Sequence, residues 1–328
     1  MKIVLLFLLT APAWAQPASL RFVPTQFYNT FSHKYPPVLR IKQGDTVRSE
    51  SVDALGFDRT GTQMAKRGNP VTGPFYVEDA KPGDMLAVTL VAVTLNRNYA
   101  TTIETFVGRS YPKAEMKDIF GRNGKLVKWT LDIERGMAKP QTTHEHLEDL
   151  TVPLHPFMGC LSVAPPVNAD EPLTYFAGPY GGNMDFYKVT AGTTVYLPIY
   201  HEGALLFLGD GHAAQGDGEI NGDALETSMD FAFICRVIKG VSIDFPRAED
   251  ADHLMAMAID KTMDLALPRA TKELVKWLQE EYGLSLREAT QVLGPSVEYK
   301  ITTLAGPHVV IVAMILKDRL KGLKMQTH

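Results

Sequence analysis

Gly209-Asp210-Gly211-His212-Ala213-Ala214-Gln215-Gly216-Asp217-Gly218-Glu219 sets two aspartates, a glutamate, a histidine and a glutamine among four glycines. Such a composition builds little core, and its polar groups are costly to bury unless they meet partners or a ligand. The preceding run Ala204-Leu205-Leu206-Phe207-Leu208 reads as a buried strand that delivers Asp210 to its end. Residues two apart in extended chain share a face, so Asp210 and His212 are expected to point together, as are Asp217 and Glu219. Asn183 and Asp185 repeat the spacing upstream, and Tyr196 to Tyr200 leads through His201 into the apolar run. The whole stretch from Asp185 to Glu226 therefore reads as short polar pairs hung from apolar strands, with glycine permitting close approach and positive φ. The competing reading is a tight hairpin or a calcium-binding loop, since Asp-Gly is a common turn dipeptide.

Outward from this block the pattern stays β-type. Between Leu20 and Val107, apolar runs at Val38–Ile41, Thr46–Val52, Phe75–Val77 and Met85–Leu95 are separated by Gln43-Gly44-Asp45 and Lys81-Pro82-Gly83-Asp84. Proline presets φ and glycine supplies the reversed value, so these are turns. A polar excursion from Ser110 to Gly124 precedes a strand at Lys125–Ile133, and further β-type runs cover Val195–Leu208 and Phe231–Val237. The period changes only after Ala248. Leu274, Val275, Leu278 and Tyr282 fit an amphipathic helix starting near Pro268 and stopped by Gly283. Ser285 with Glu288 gives a capping box for a second helix ending before Gly294, after which Val297–Leu304 and Val309–Leu316 resume strand character. This order implies a mainly β protein, an antiparallel β-sandwich of jelly-roll character with a small helical insertion near the C-terminus. Residues 16–135 form an N-terminal β-domain and 136–328 a signature-bearing β-domain with the helices, the two packing as one unit.

The 328 residues are 45% hydrophobic, ample for a core, and the net charge of -4 with no basic tract argues against nucleic acid as a partner. A small molecule is the expected partner, and self-association is left open. Lys2, the apolar Ile3–Leu9 and Ala13-Trp14-Ala15 have the order of a secretory signal, with residues 1–15 removed and Gln16 first in the mature chain. No later run approaches the roughly 20 apolar residues of a membrane span. A periplasmic or secreted protein without a membrane anchor is expected. Cys160 and Cys235 both lie in apolar surroundings and read as buried thiols rather than a disulfide or a nucleophile. His144-Glu145-His146 could ligate metal from a strand face, or lie at the surface of a loop.

The central block, together with Tyr196-Leu197-Pro198 and His201-Glu202-Gly203-Ala204-Leu205, resembles the signature of the acetamidase/formamidase family. Gly181-Gly182-Asn183-Met184-Asp185, His155-Pro156-Phe157-Met158-Gly159, Val163-Ala164-Pro165, Gly73-Pro74-Phe75-Tyr76-Val77-Glu78, Lys81-Pro82-Gly83-Asp84 and Trp277–Leu284 extend the likeness over most of the chain. The resemblance implies a mostly β fold, hydrolysis of short amides to acid and ammonia, and a metal-assisted site. A secreted setting makes a larger or cyclic amide a second expectation, and a ligand-binding jelly-roll module without catalysis is the reading from another class.

Amide resonance weakens the carbonyl as an electrophile and nitrogen as a leaving group, so hydrolysis needs a strong nucleophile, carbonyl polarisation and a proton for nitrogen. A divalent cation, zinc by the donor types with calcium as the alternative, meets the first two needs. Asp185, Asp210 and His212 are expected nearest to it, with His155 as a further ligand and His201 as a rival ligand or substrate contact. Glu219, with Asp217 on its face, is the candidate to take a proton from water and return it to nitrogen. Asn183 and Gln215 are the candidates to hydrogen-bond the substrate.

Overall fold

The computed structural model describes residues 17–120, 124–142 and 144–326; the signal-like segment lies outside them. Among the described residues the chain forms a nine-stranded and an eleven-stranded sheet with three α-helices. Pairing is antiparallel except between Ser19–Arg21 and Thr46–Glu50 and between Leu39–Ile41 and Val71–Val77, which run parallel. Val47, Leu86, Val88, Leu90 and Phe233 of the nine-stranded sheet share one buried core with Val71, Phe75, Leu161 and Phe207 of the other. Phe75 meets Phe233 edge to face with ring centroids 5.2 Å apart, an orientation that matches the aromatic quadrupoles. The molecule is thus a β-sandwich, as the alternation and turn chemistry imply.

Strands from early and late sequence become neighbours in both sheets. Met85–Leu95 lies between Met229–Ile238 and Thr194–Pro198, and Val71–Val77 pairs with Leu206–His212. The boundary between residues 135 and 136 therefore does not coincide with a boundary between sheets.

The helix Met263–Tyr282 joins His253–Asp260 to the far edge of the nine-stranded sheet and buries Ala266, Ala270, Leu274 and Leu278 against it. It starts five residues before Pro268, which sits inside the helix where it has no N–H to give to the carbonyl one turn back. Thr262 takes the N-cap position, and Gly283 at φ 67° ends the helix in the left-handed conformation that glycine adopts without a Cβ penalty. Leu286–Leu293 follows with the capping box formed: Ser285 Oγ accepts from Glu288 N–H while the Glu288 side chain accepts from Ser285 N–H. The excursion from Ser110 to Gly124 contains a third helix, Lys113–Phe120, which its sparse apolar residues did not announce.

Candidate metal and active site

The strand Leu206–His212 is buried along its length, and its partner changes as it passes Gly209. Below that point it pairs with Val71–Val77; above it, His212 stands opposite Glu226 on one side and Phe157 on the other. Asp210, at φ 59°, breaks the regular extension, and the imidazole and carboxylate converge: His212 Nε2 lies 3.2 Å from Asp210 Oδ2. Glu226 Oε1 lies at the same distance from that nitrogen. The expectation that the strand would end at Asp210 falls short by two residues, but the pairing of Asp210 with His212 stands.

Asp185 arrives from the strand Gly181–Asn183, whose register sets Asn183 opposite Cys160. The N–H groups of Met184 and Asp185 both donate to the Gly159 carbonyl, and Asn183 Nδ2 donates to Asp185 Oδ2 at 2.7 Å. Asn69 Nδ2 in turn donates to Asn183 Oδ1, so the asparagine is held at both ends. Gln215 Nε2 donates to the carbonyls of Asp185 and Thr302, tying the block to the last strands. Glu219 is delivered by a tight turn in which its N–H donates to Gly216 O, and Thr303 Oγ1 donates to its Oε2 at 2.6 Å.

Asp185, Asp210, Glu219 and Glu226 are each at most 5% exposed, and His212 is fully buried. His212 belongs to two overlapping donor groups, with Asp185 and Glu219 and with Asp210 and Glu226; within each, the donor atoms lie within 4.8 Å of one another. Asp185 Oδ1, both Asp210 oxygens, Glu226 Oε2 and both His212 nitrogens make no hydrogen bond. Four buried carboxylates around one imidazole need a compensating cation, because unpaired buried charge is expensive. Gly159 keeps the space open: a Cβ there would stand 2.7 Å from Asp210 Oδ2 and from His212 Cε1, and 2.9 Å from Asp185 Oδ1. These features fit a metal ion held by carboxylate oxygen and imidazole nitrogen.

The protonation tendencies reflect the crowding of carboxylates around His212. Burial, then the Glu219 and Asp210 charges, push Asp185 well above the usual carboxylate range, and burial raises Glu219 and Glu226. Burial opposes protonation of His212, but Glu226 and Asp210 outweigh it and hold the imidazole well above its ordinary value. Asp185, Asp210 and Glu219 also share positive φ, at 45°, 59° and 44°. Left-handed backbone at a side chain with Cβ costs of order 1–2 kcal/mol, and its concentration at these three residues marks a site whose geometry overrides local preference.

A pocket of about 390 Å³ opens beside this centre, lined by Asn183, Asp185, Glu219, Asp223 and Glu226 with Arg67, Tyr175 and His308 farther out. Asp223 is raised to about 6, by burial first and by Glu219 second.

Other expected site residues lie elsewhere. His155 is exposed and packs edge-on against Tyr187, with its backbone N–H bonded to Ala213 O. His201 stacks on His33 and reaches Pro165 O. Asp217 is exposed and pairs with Lys300 at 3.5 Å, because the Gly216–Glu219 turn replaces the extended chain in which it would share a face with Glu219. His144 is exposed, 3.6 Å from Glu104. Cys160 and Cys235 are free and buried, and burial together with Asp210 and Asp185 pushes the Cys160 thiol up, away from thiolate chemistry.

Sandwich and site together define a β-protein built around a buried carboxylate–imidazole centre of metal-site type that opens on a small polar pocket. Residues 18–172 and 176–304 match the acetamidase/formamidase family, and the chain belongs to that family. The formamidase of Methylophilus methylotrophus is 25% identical over 252 residues, 60% of each chain. The chain spans 60% to 68% of the length of two curated relatives it matches. The structure of an acetamidase from Yersinia enterocolitica superposes with a TM-score of 0.79 at 25% identity, covering 93% of this chain and 94% of that one. An acetamidase structure from Bacillus halodurans gives 0.77 at 27% identity, covering 93% and 99%.

Proposed function

We propose that the protein hydrolyses the C–N bond of a short linear amide, of formamide or acetamide type, to a carboxylate and ammonia. The observation that carries this reading is that Glu219 belongs at once to the buried donor set and to the pocket wall. Asp185, Asp210 and His212, with Glu226, would hold a divalent cation, zinc by preference and calcium as the alternative. Bound there, such an ion supplies Lewis acidity and lowers the pKa of water.

The chain's own residues do the rest. Asn69 and Asn183 fix Asp185 through one oxygen and leave the other directed to the centre. Glu219 takes a proton from the attacking water as its oxygen bonds to the amide carbon, and returns it to nitrogen as the C–N bond breaks. Burial raises its pKa, which suits a group that must both accept and donate near neutral pH. Thr303 orients it by binding Oε2.

The pocket extends past the centre to Tyr175 and His308, which favours a larger or cyclic amide as a second reading. We place the mature protein outside the cytoplasm, on the signal-like order of Lys2, Ile3–Leu9 and Ala13-Trp14-Ala15. An ammonia-release assay of the zinc-loaded protein over formamide, acetamide and longer primary amides, with chromatographic detection of the amino acid formed from lactams, tests the activity. Hydrolysis of the shortest amides supports the first reading, ammonia release from longer amides alone or ring opening of lactams the second, and no hydrolysis of any of them leaves a ligand-binding module.

A further inference from the structure

A second cavity, of about 1030 Å³, lies between the helix Met263–Tyr282 and the nine-stranded sheet and shares no wall residue with the pocket beside Glu219. Its apolar walls include Met85, Ile238, Leu254, Trp277 and Tyr282. Into this region the strand Arg247–Glu249 sends Arg247, whose side chain is 3% exposed. The guanidinium Nε donates to Glu273 Oε1 at 2.8 Å and Nη1 to Glu280 Oε2 at 2.6 Å, while the group stands 5.3 Å from the Trp277 ring. Nη2 is buried and has no acceptor. A buried guanidinium N–H without a partner is costly, and the wall it belongs to borders space for one.

The charges around it specify the acceptor. Glu273 and Glu280 already flank Arg247, Glu281 lies on the same wall, and the cation Lys317 is engaged by Glu249 at 2.7 Å. Another carboxylate would add to an acidic surplus, whereas a carbonyl oxygen would satisfy Nη2 without adding charge. We propose that this cavity is a second ligand site, separate from the metal centre, which takes a neutral and largely apolar molecule whose carbonyl oxygen accepts from Arg247 Nη2.

Benzophenone, a neutral apolar ketone that cross-links to neighbouring C–H bonds on irradiation, is a direct probe. Photolabelling of the intact protein followed by peptide mass spectrometry is expected to concentrate adducts on Met85, Trp277, Tyr282 and Met325. Val241→Trp, at the cavity wall and partly exposed, should abolish these adducts without moving the thermal midpoint. Fluorenone should compete for labelling about tenfold better than fluorene, which has the same outline without the carbonyl. Adducts scattered over the surface, labelling that survives Val241→Trp, or equal competition by fluorenone and fluorene would each overturn the proposal. Removing Arg247 itself strands Glu273 in the core, so the pair of competitors, rather than an Arg247 variant, reads out the hydrogen bond.

Discussion

Three carboxylates and one imidazole of the centre, Asp185, Asp210, Glu219 and His212, stood out in the sequence because acids and histidine at two-residue spacing among glycines serve no core. Their companion Glu226 did not, since a lone glutamate after Ala224-Leu225 carries no local signal; it enters only because strand register sets it opposite His212. Thr303 and Asn69 are likewise contributed by distant chain. Asp217 lies away from the centre for the opposite reason, since its spacing from Glu219 assumed extended chain and the backbone turns there, while His155 is held by Ala213 O at an exposed position beside Tyr187. Two substitutions test the centre at this scale. Gly159→Ala would push a methyl to within 2.9 Å of Asp185, Asp210 and His212, so the purified protein should retain its fold by circular dichroism and lose most of its metal by elemental analysis. Full metal content in that variant would rule out the cradle. Glu219→Gln keeps shape and removes the base, and should slow amide hydrolysis about 100-fold or more with metal content largely retained. An unchanged rate would remove Glu219 from the proton path.

At the level of elements, turns and caps were read from local chemistry and observed where that chemistry is self-contained, as at Gly283 and in the Ser285–Glu288 box. The start of the long helix was misplaced because proline favours a first turn, yet packing of Ala266 and Ala270 on the sheet extends the helix past it. Ser285→Ala removes an exposed N-cap and should cost about 1 kcal/mol, read as a lower denaturation midpoint in urea, with activity unaffected. The turn before His253–Asp260 gives a pH signature. Burial raises the Asp250 pKa, but the hydrogen bonds from Lys188 and from the Asp252 and His253 N–H groups outweigh it and hold the carboxyl at about 2, below its reference value of 3.8. Its folded pKa is depressed, so its stabilisation is present above pH 3.8 and is lost as pH falls toward 2. Asp250→Asn should flatten that part of the acid limb in pH-dependent unfolding; an unaltered slope would mean the ion pair with Lys188 contributes nothing.

For the whole molecule, the sandwich was legible from alternation and turns, while strand order was not, because pairing partners more than a hundred residues apart leave no mark on either segment alone. The metal reading makes a global prediction: dialysis against a strong chelator should abolish ammonia release, and zinc should restore it. Activity that persists in metal-free protein would return the buried carboxylates to a structural role. The processing proposal predicts that protein recovered from outside the cytoplasm has Gln16 as its first residue by intact mass, and an intact Met1 there would refute it.

The strand Met85–Leu95 cannot complete its pairing until Thr194–Pro198 and Met229–Ile238 exist to flank it. During synthesis, more than a hundred residues must therefore leave the ribosome before this strand gains either neighbour, and the loop that closes then is long. Such topology slows folding, by the general inverse relation between rate and the sequence separation of contacts. Under the export proposed above, such a delay would let the unfolded precursor reach a translocon before the sandwich closes.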